Sequence, residues 1–201
     1  MPLFITQETA VFGTSIPLSD FAPLLAAHRA RYQSTLDIEK KGVELQQANF
    51  PTQAVQDFVT AVCTWGGYAG ISGRILKRNS LEAIANALRS AVNQLNAEKP
   101  NVAGALACIN ALDSLGTPSF ASKHLRFLRP DICPVFDSLL QEALPYSFDA
   151  TGYAQFSKDC CSLAKTLTQQ KNSAAPDREM GEWCAADVEG AIFAYVTELK
   201  N

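Results

Sequence analysis

Leu81, Ile84, Ala85, Leu88, Val92 and Leu95 fall on one face of a helix, behind the capping pair Asn79-Ser80. Patterns of this kind fill most of the chain, and they constrain the fold more than any other feature. Pro51-Thr52 opens a helix with Val55, Phe58, Val59 and Val62 on one face. Pro100-Asn101 opens another with Val102, Leu106, Ile109 and Leu112, interleaved with Ala103, Gly104, Ala105 and Ala107, small residues that let a neighbouring helix come close. Phe156, Cys160, Leu163 and Leu167 predict a helix from about 152 to 169. Trp183, Val188, Ile192, Phe193, Val196 and Leu199 predict a last one. Near the start, Ser19 or Asp20 caps a helix bearing Phe21, Leu24, Leu25 and His28, with His28 placed at the surface or partly packed. The basic run 28–32, followed by Glu39, Lys40 and Lys41, reads as solvated helix or loop. Residues 1–18 read as extended or irregular, and 171–179 as a polar loop. No alternating run marks a strand, and no internal repeat is present. The expectation is an all-α chain forming a single domain over 1–201.

Composition narrows the classes. With 47% apolar residues the chain can bury a sizeable core. The net charge of −3 argues against a globally basic nucleic-acid binder, so any nucleic-acid contact rests on local cations. The N-terminal run MPLFITQETAVFGTS lacks the basic and apolar regions of a secretion signal, and no apolar stretch is long enough to span a membrane. The six cysteines form no CxxC pair and read as buried free thiols, which fits a reducing cytoplasm. Two histidines, His28 and His124, make a zinc site improbable, and no cofactor is expected.

The chemistry concentrates between Leu115 and Leu140. Leu115-Gly116-Thr117-Pro118 ends one helix and turns, and Ser119 can cap the next. Phe120, Leu125, Phe127 and Leu128 give that helix an inner face, with Lys123, Arg126 and Arg129 reaching outward or sideways. Lys123 then lies in the first turn, beside other cations, where a cation is disfavoured. Such surroundings, and burial, depress an amine pKa. A neutral amine is a nucleophile, so the environment suits a Schiff-base lysine; it also suits a lysine that binds phosphate. Downstream, Pro134 forces an extended lead-in, and Asp137 or Ser138 caps a helix over Phe136–Leu144. On local features alone Asp137 is an N-cap. A second basic stretch, Trp65 to Arg78, carries four glycines, two aromatic residues and Arg74, Lys77 and Arg78 with no acid. It reads either as a glycine-rich helix connection with a packed tryptophan or as a loop that meets nucleic acid.

At these residues the chain resembles the helix-hairpin-helix DNA glycosylases, in particular the branch of lysine-bearing 8-oxoguanine DNA glycosylases. Pro118 stands at the hairpin proline, Ser119 and Ala121 at its two glycines, Lys123 at the nucleophile, and Pro134-Val135-Phe136-Asp137 at the aspartate segment. The resemblance implies a compact two-lobed helical fold, with the helix-hairpin-helix at about 101–129. It implies a monomeric enzyme acting on double-stranded DNA that contains a modified base. Lys123 and Asp137 would be catalytic. Ser119, Phe120, Ala121, Ser122, Arg126, Arg129, Arg74 and Lys77 would meet DNA. Trp65, Trp183 and Asp187 are weaker pocket residues, since a late helix lines the base pocket in such enzymes; a core tryptophan and a dipole-facing acid are the plainer reading of the last two. Oxidised guanine is the family's usual substrate, and a hypermodified base of phage DNA, removed in defence, is an alternative within the same chemistry. Two other readings stay open: a helix-hairpin-helix module that grips DNA without catalysis, and a helical protein-interaction domain.

Overall fold

The computed structural model describes residues 8–11, 14–170, 175–178 and 180–199, and the described chain is almost entirely helical. Ten α-helices follow a short N-terminal hairpin and a single 3-10 turn at Leu18–Asp20. The expected loops over residues 1–7, 12–13, 171–174 and 179 lie outside the described residues. The N-terminal segment is extended, as one of its two readings had it, but it is also paired, which corrects the expectation of no strand: β1 (Glu8–Val11) pairs antiparallel with β2 (Thr14–Pro17), with Thr9 opposite Ile16. The strands are too short for an alternating pattern to stand out.

The strongly periodic segments fold as their spacing predicts. In α3 (Thr52–Trp65), Val55, Phe58, Val59 and Val62 are buried. In α5 (Leu81–Leu95), the Ser80 hydroxyl accepts from Ala83 N–H, and in α6 (Val102–Asn110) the Asn101 side chain accepts from Gly104 N–H. Each cap satisfies a donor the helix cannot. α9 (Ala150–Gln169) is capped by Asp149 through Gly152 N–H. α6 packs on α5, α7 (Pro118–Leu128) and α9, while α10 (Ala185–Leu199) packs against α9 and along α1 (Phe21–Arg31). Buried apolar side chains from Ile16 to Val196 form one cluster.

Two segments differ from the sequence expectation. Residues 35–47 form α2 (Thr35–Gln47), and its Glu39 is buried rather than solvated, because it forms an ion pair with Arg126 (2.9 Å) and accepts from Arg178 (2.7 Å). The stretch after Trp65 is not a loop: Gly66-Gly67-Tyr68 turns the chain, with Gly67 at φ +76°, and α4 (Ala69–Arg78) follows. α2 and α7 approach so closely that a Cβ on Gly42 would lie 1.9 Å from Phe127 O. Gln46 Nε2 also donates to Leu128 O at the end of α7 (2.8 Å). No helix of the described residues is long and apolar enough to cross a membrane.

Candidate active site

α7 is the central element. It starts at Pro118, whose missing N–H costs nothing at the first helical position, after Thr117 at the N-cap. Ser119 therefore does not cap the helix; its carbonyl and hydroxyl face Lys123 instead. Every residue from Ala121 to Leu128 is buried, so this helix has no solvent face. The turn before it is fixed from outside. Asn79 donates to Asp113 O and accepts from Asp113 N–H, and the Asn110 amide is placed to donate to Leu115 O and Thr117 O.

Lys123 is 6% exposed. It is the sixth residue of α7, two residues further from the N-terminus than a cap at Ser119 would place it, and the dipole has faded there. Burial, not the dipole, lowers its pKa; Asp137 and Glu189 work against that shift. Its Nζ donates to Ser119 O (3.2 Å) and Ser119 Oγ (3.3 Å) and lies 3.9 Å from Asp137 Oδ2. Gly66 leaves room for the lysine stem: a Cβ there would come within 3.0 Å of Lys123 Cδ.

Asp137 does two things at once. Its Oδ1 accepts from Leu139 and Leu140 N–H, capping α8 (Ser138–Ala143), while Oδ2 turns to the lysine. The approach to it is held by backbone contacts: Ser122 Oγ accepts from Phe136 N–H (3.0 Å), Tyr153 donates to Pro134 O (3.0 Å), and Glu189 Oε2 accepts from Val135 N–H (3.3 Å).

Lys123 and Asp137 open onto a cavity of about 180 Å³. His28 and Arg31 of α1 and the adjoining Tyr32 form one wall; Glu189, Phe193 and Thr197 of α10 form another. Trp65, Gly66 and Tyr68, from the turn between α3 and α4, complete it with Val135 and Leu139. The rings touch: Tyr32 lies 5.1 Å from Trp65, and His28 4.7 Å from Tyr32. Trp65 is anchored by donating to Thr35 Oγ1 (2.9 Å) and by an edge contact with Phe127.

Other sequence-derived positions fall elsewhere. Arg126 does not point outward: it is 1% exposed, paired with Glu39 and set against Trp65 and Phe127. Ala121 and Ser122 are likewise buried, so neither is placed to touch DNA. Arg129 is half-buried, bonded to Asp131 (2.7 Å), Asn96 and Leu95 O. Ser119 and Phe120 are half-buried at the start of α7, Phe120 against the exposed Tyr68. Arg74 and Lys77 are exposed on α4. Trp183 does not line the cavity but packs edge-on against Phe21, and Asp187 is buried between Arg29 (2.7 Å) and Arg178 (2.9 Å).

Two cavity residues were given no part in the chemistry by the sequence, which reads Glu189 as an acid near the start of the last helix, where acids are favoured, and His28 as a surface or partly packed residue. Glu189 is buried, and burial pushes its carboxyl up to about 8. The signal was an acid inside the apolar run of α10, beyond the first turn where the dipole would favour it. His28, expected at the surface or partly packed, is buried because α10 lies along α1; burial and the cations Arg126 and Arg29 lower its pKa to about 3. Comparison of the chain with protein-family profiles, with curated proteins and with solved structures returns no match.

Proposed function

We propose that this protein is a helix-hairpin-helix DNA glycosylase with abasic-site lyase activity, acting on duplex DNA that carries a modified base. One observation carries the reading: a buried lysine, its pKa lowered, lies 3.9 Å from a carboxylate at the mouth of an aromatic-lined cavity. The sequence resemblance assigns the same two positions to nucleophile and acid. α6 and α7 supply the two helices of the motif, and Ser119 and Phe120 N–H, free in the first turn of α7, are its phosphate donors.

The target nucleotide is flipped out of the stack so that its base enters the cavity. Neutral Lys123 attacks C1′, and the C1′–N bond breaks with its electron pair leaving on the base. Asp137 opposes the positive charge that grows on the sugar. The amine passes a proton to the departed base; the C1′–O4′ bond then breaks, O4′ taking a proton from water as the protonated Schiff base forms at C1′, and the iminium acidifies the 2′ hydrogen. Its loss expels the 3′ phosphate by β-elimination and cuts the strand. Water then releases Lys123.

The test is cleavage of a duplex with one abasic site, followed on a denaturing gel. Wild-type protein cuts the strand. Lys123→Gln reduces cutting to background while keeping most duplex affinity, because the change removes the nucleophile and leaves the rest of the surface intact. Salt-sensitive duplex binding with no Lys123-dependent cutting makes the protein a non-catalytic DNA-binding module; neither binding nor cutting leaves the protein-interaction reading.

A further inference from the structure

His28 has no assigned part in the chemistry above, yet its position is hard to explain as packing. It is 4% exposed, and neither ring nitrogen meets a hydrogen-bond partner among the described residues. Neither nitrogen is among the fully enclosed unpartnered polar atoms of the described residues, so both keep some accessible surface on a residue that lines the cavity. The imidazole lines the cavity and lies against Tyr32 at 4.7 Å. Its orientation is fixed by α10: Gly190 lets the ring come so close that a Cβ there would lie 3.1 Å from Nδ1. Because the ring is held neutral, it offers one donor and one acceptor.

We propose that His28 is a specificity-determining residue that hydrogen-bonds the ring edge of a planar, uncharged nucleobase held against Tyr32, Trp65 and Phe193. This deepens the glycosylase reading and rests on it for the identity of the ligand as a base from DNA. The aromatic walls suit a flat π-system, and the volume of about 180 Å³ suits a ring rather than the drug-sized ligands of larger pockets. Glu189 adds a second polar group: Oε2 is engaged by Val135 N–H, and Oε1 has no partner among the described residues. A neutral imidazole and a carboxyl beside stacked rings select for a base whose edge presents hydrogen-bonding groups and against an apolar ring of the same shape.

The experiment uses the intact protein and four free bases: hypoxanthine, adenine, 8-oxoguanine and cytosine. Calorimetry measures affinity, and ¹⁵N spectra of histidine-labelled protein follow the His28 nitrogens. The expected result is binding of at least one base, with a shift of the His28 ring nitrogens. His28→Phe, which keeps a flat ring, weakens that binding about tenfold, and His28→Gln, which keeps a donor and an acceptor, recovers part of it. No binding by any base, or binding that leaves the His28 nitrogens unmoved, overturns the proposal; the spectra of the wild-type protein decide this even if a variant fails to fold. Free-base binding needs no lysine chemistry. A protein that binds base through His28 but cuts no abasic duplex refutes the glycosylase reading and keeps this one, and cutting without His28-dependent base binding does the reverse.

Discussion

A buried amine and two carboxyl groups share one cavity, and their protonation bears on stability and on the proposed chemistry. Burial lowers the Lys123 pKa, so the neutral, nucleophilic form is reached at a lower pH than for a free lysine. Asp137 pulls the other way, so Asp137→Asn lowers that pKa further. Abasic-strand cleavage by Asp137→Asn is therefore expected to be slower, with its rising limb displaced toward acid; an unmoved pH profile would count against the pairing. Glu189 makes the opposite contribution to stability. Its carboxyl titrates near 4.5 in an unfolded chain and near 8 in the folded protein. Between those values the folded state holds the extra proton, so this group's contribution to stability falls as pH rises from about 4.5 to 8. Urea midpoints of wild type and Glu189→Gln measured at pH 6 and 8.5 check this: the wild type loses more stability than the variant over that interval. Gly66→Ala tests the lysine's seat. The added methyl presses on Lys123 Cδ and Cε, at 3.0 and 3.2 Å, and displaces Nζ. Cleavage falls by about tenfold or more, while the melting temperature changes little because the clash is with the far end of a flexible side chain.

At the scale of elements, α7 explains both what the sequence reveals and what it conceals. Helices with one wet face are legible, and α3, α5, α6 and α9 match their spacing. α7 is covered on all sides, so the distinction between its inner face and its charged residues breaks down. Arg126, placed outward by that distinction, is instead the buried partner of Glu39, which comes from a helix whose polar sequence gave no hint of burial. The pairing of Lys123 with Asp137 came only from the family resemblance, since local features mark Asp137 as an N-cap and nothing more. The walls of the cavity were not legible, since His28 and Glu189 meet only when α1 packs along α10. The α2–α7 contact gives a direct check. Gly42→Ala sets a methyl against Phe127 O, a backbone atom that cannot step aside, and a loss of about 1–3 kcal/mol is expected. Arg126→Ala also destabilises, by about 3–5 kcal/mol, because it leaves buried Glu39 with fewer partners. Chemical denaturation measures both, and wild-type stability in either would contradict the packing described.

For the whole molecule, the net charge of −3 means that any DNA affinity must come from a local surface. With Arg126 buried and Arg129 bound to Asp131, the exposed Arg74 and Lys77 of α4 are the remaining cations from the proposed interface. Replacing both by Ala is expected to lower the slope of log affinity against log salt by about 2. The proposed chemistry, however, is covalent, with Lys123 as the nucleophile. The direct measurement is borohydride reduction of the protein mixed with a duplex containing one abasic site, followed by proteolysis and mass mapping of the adduct. A single DNA-modified peptide carrying Lys123, absent from Lys123→Gln, is the expected result. An adduct on other lysines that persists in Lys123→Gln, or no adduct at all, would contradict the proposed chemistry.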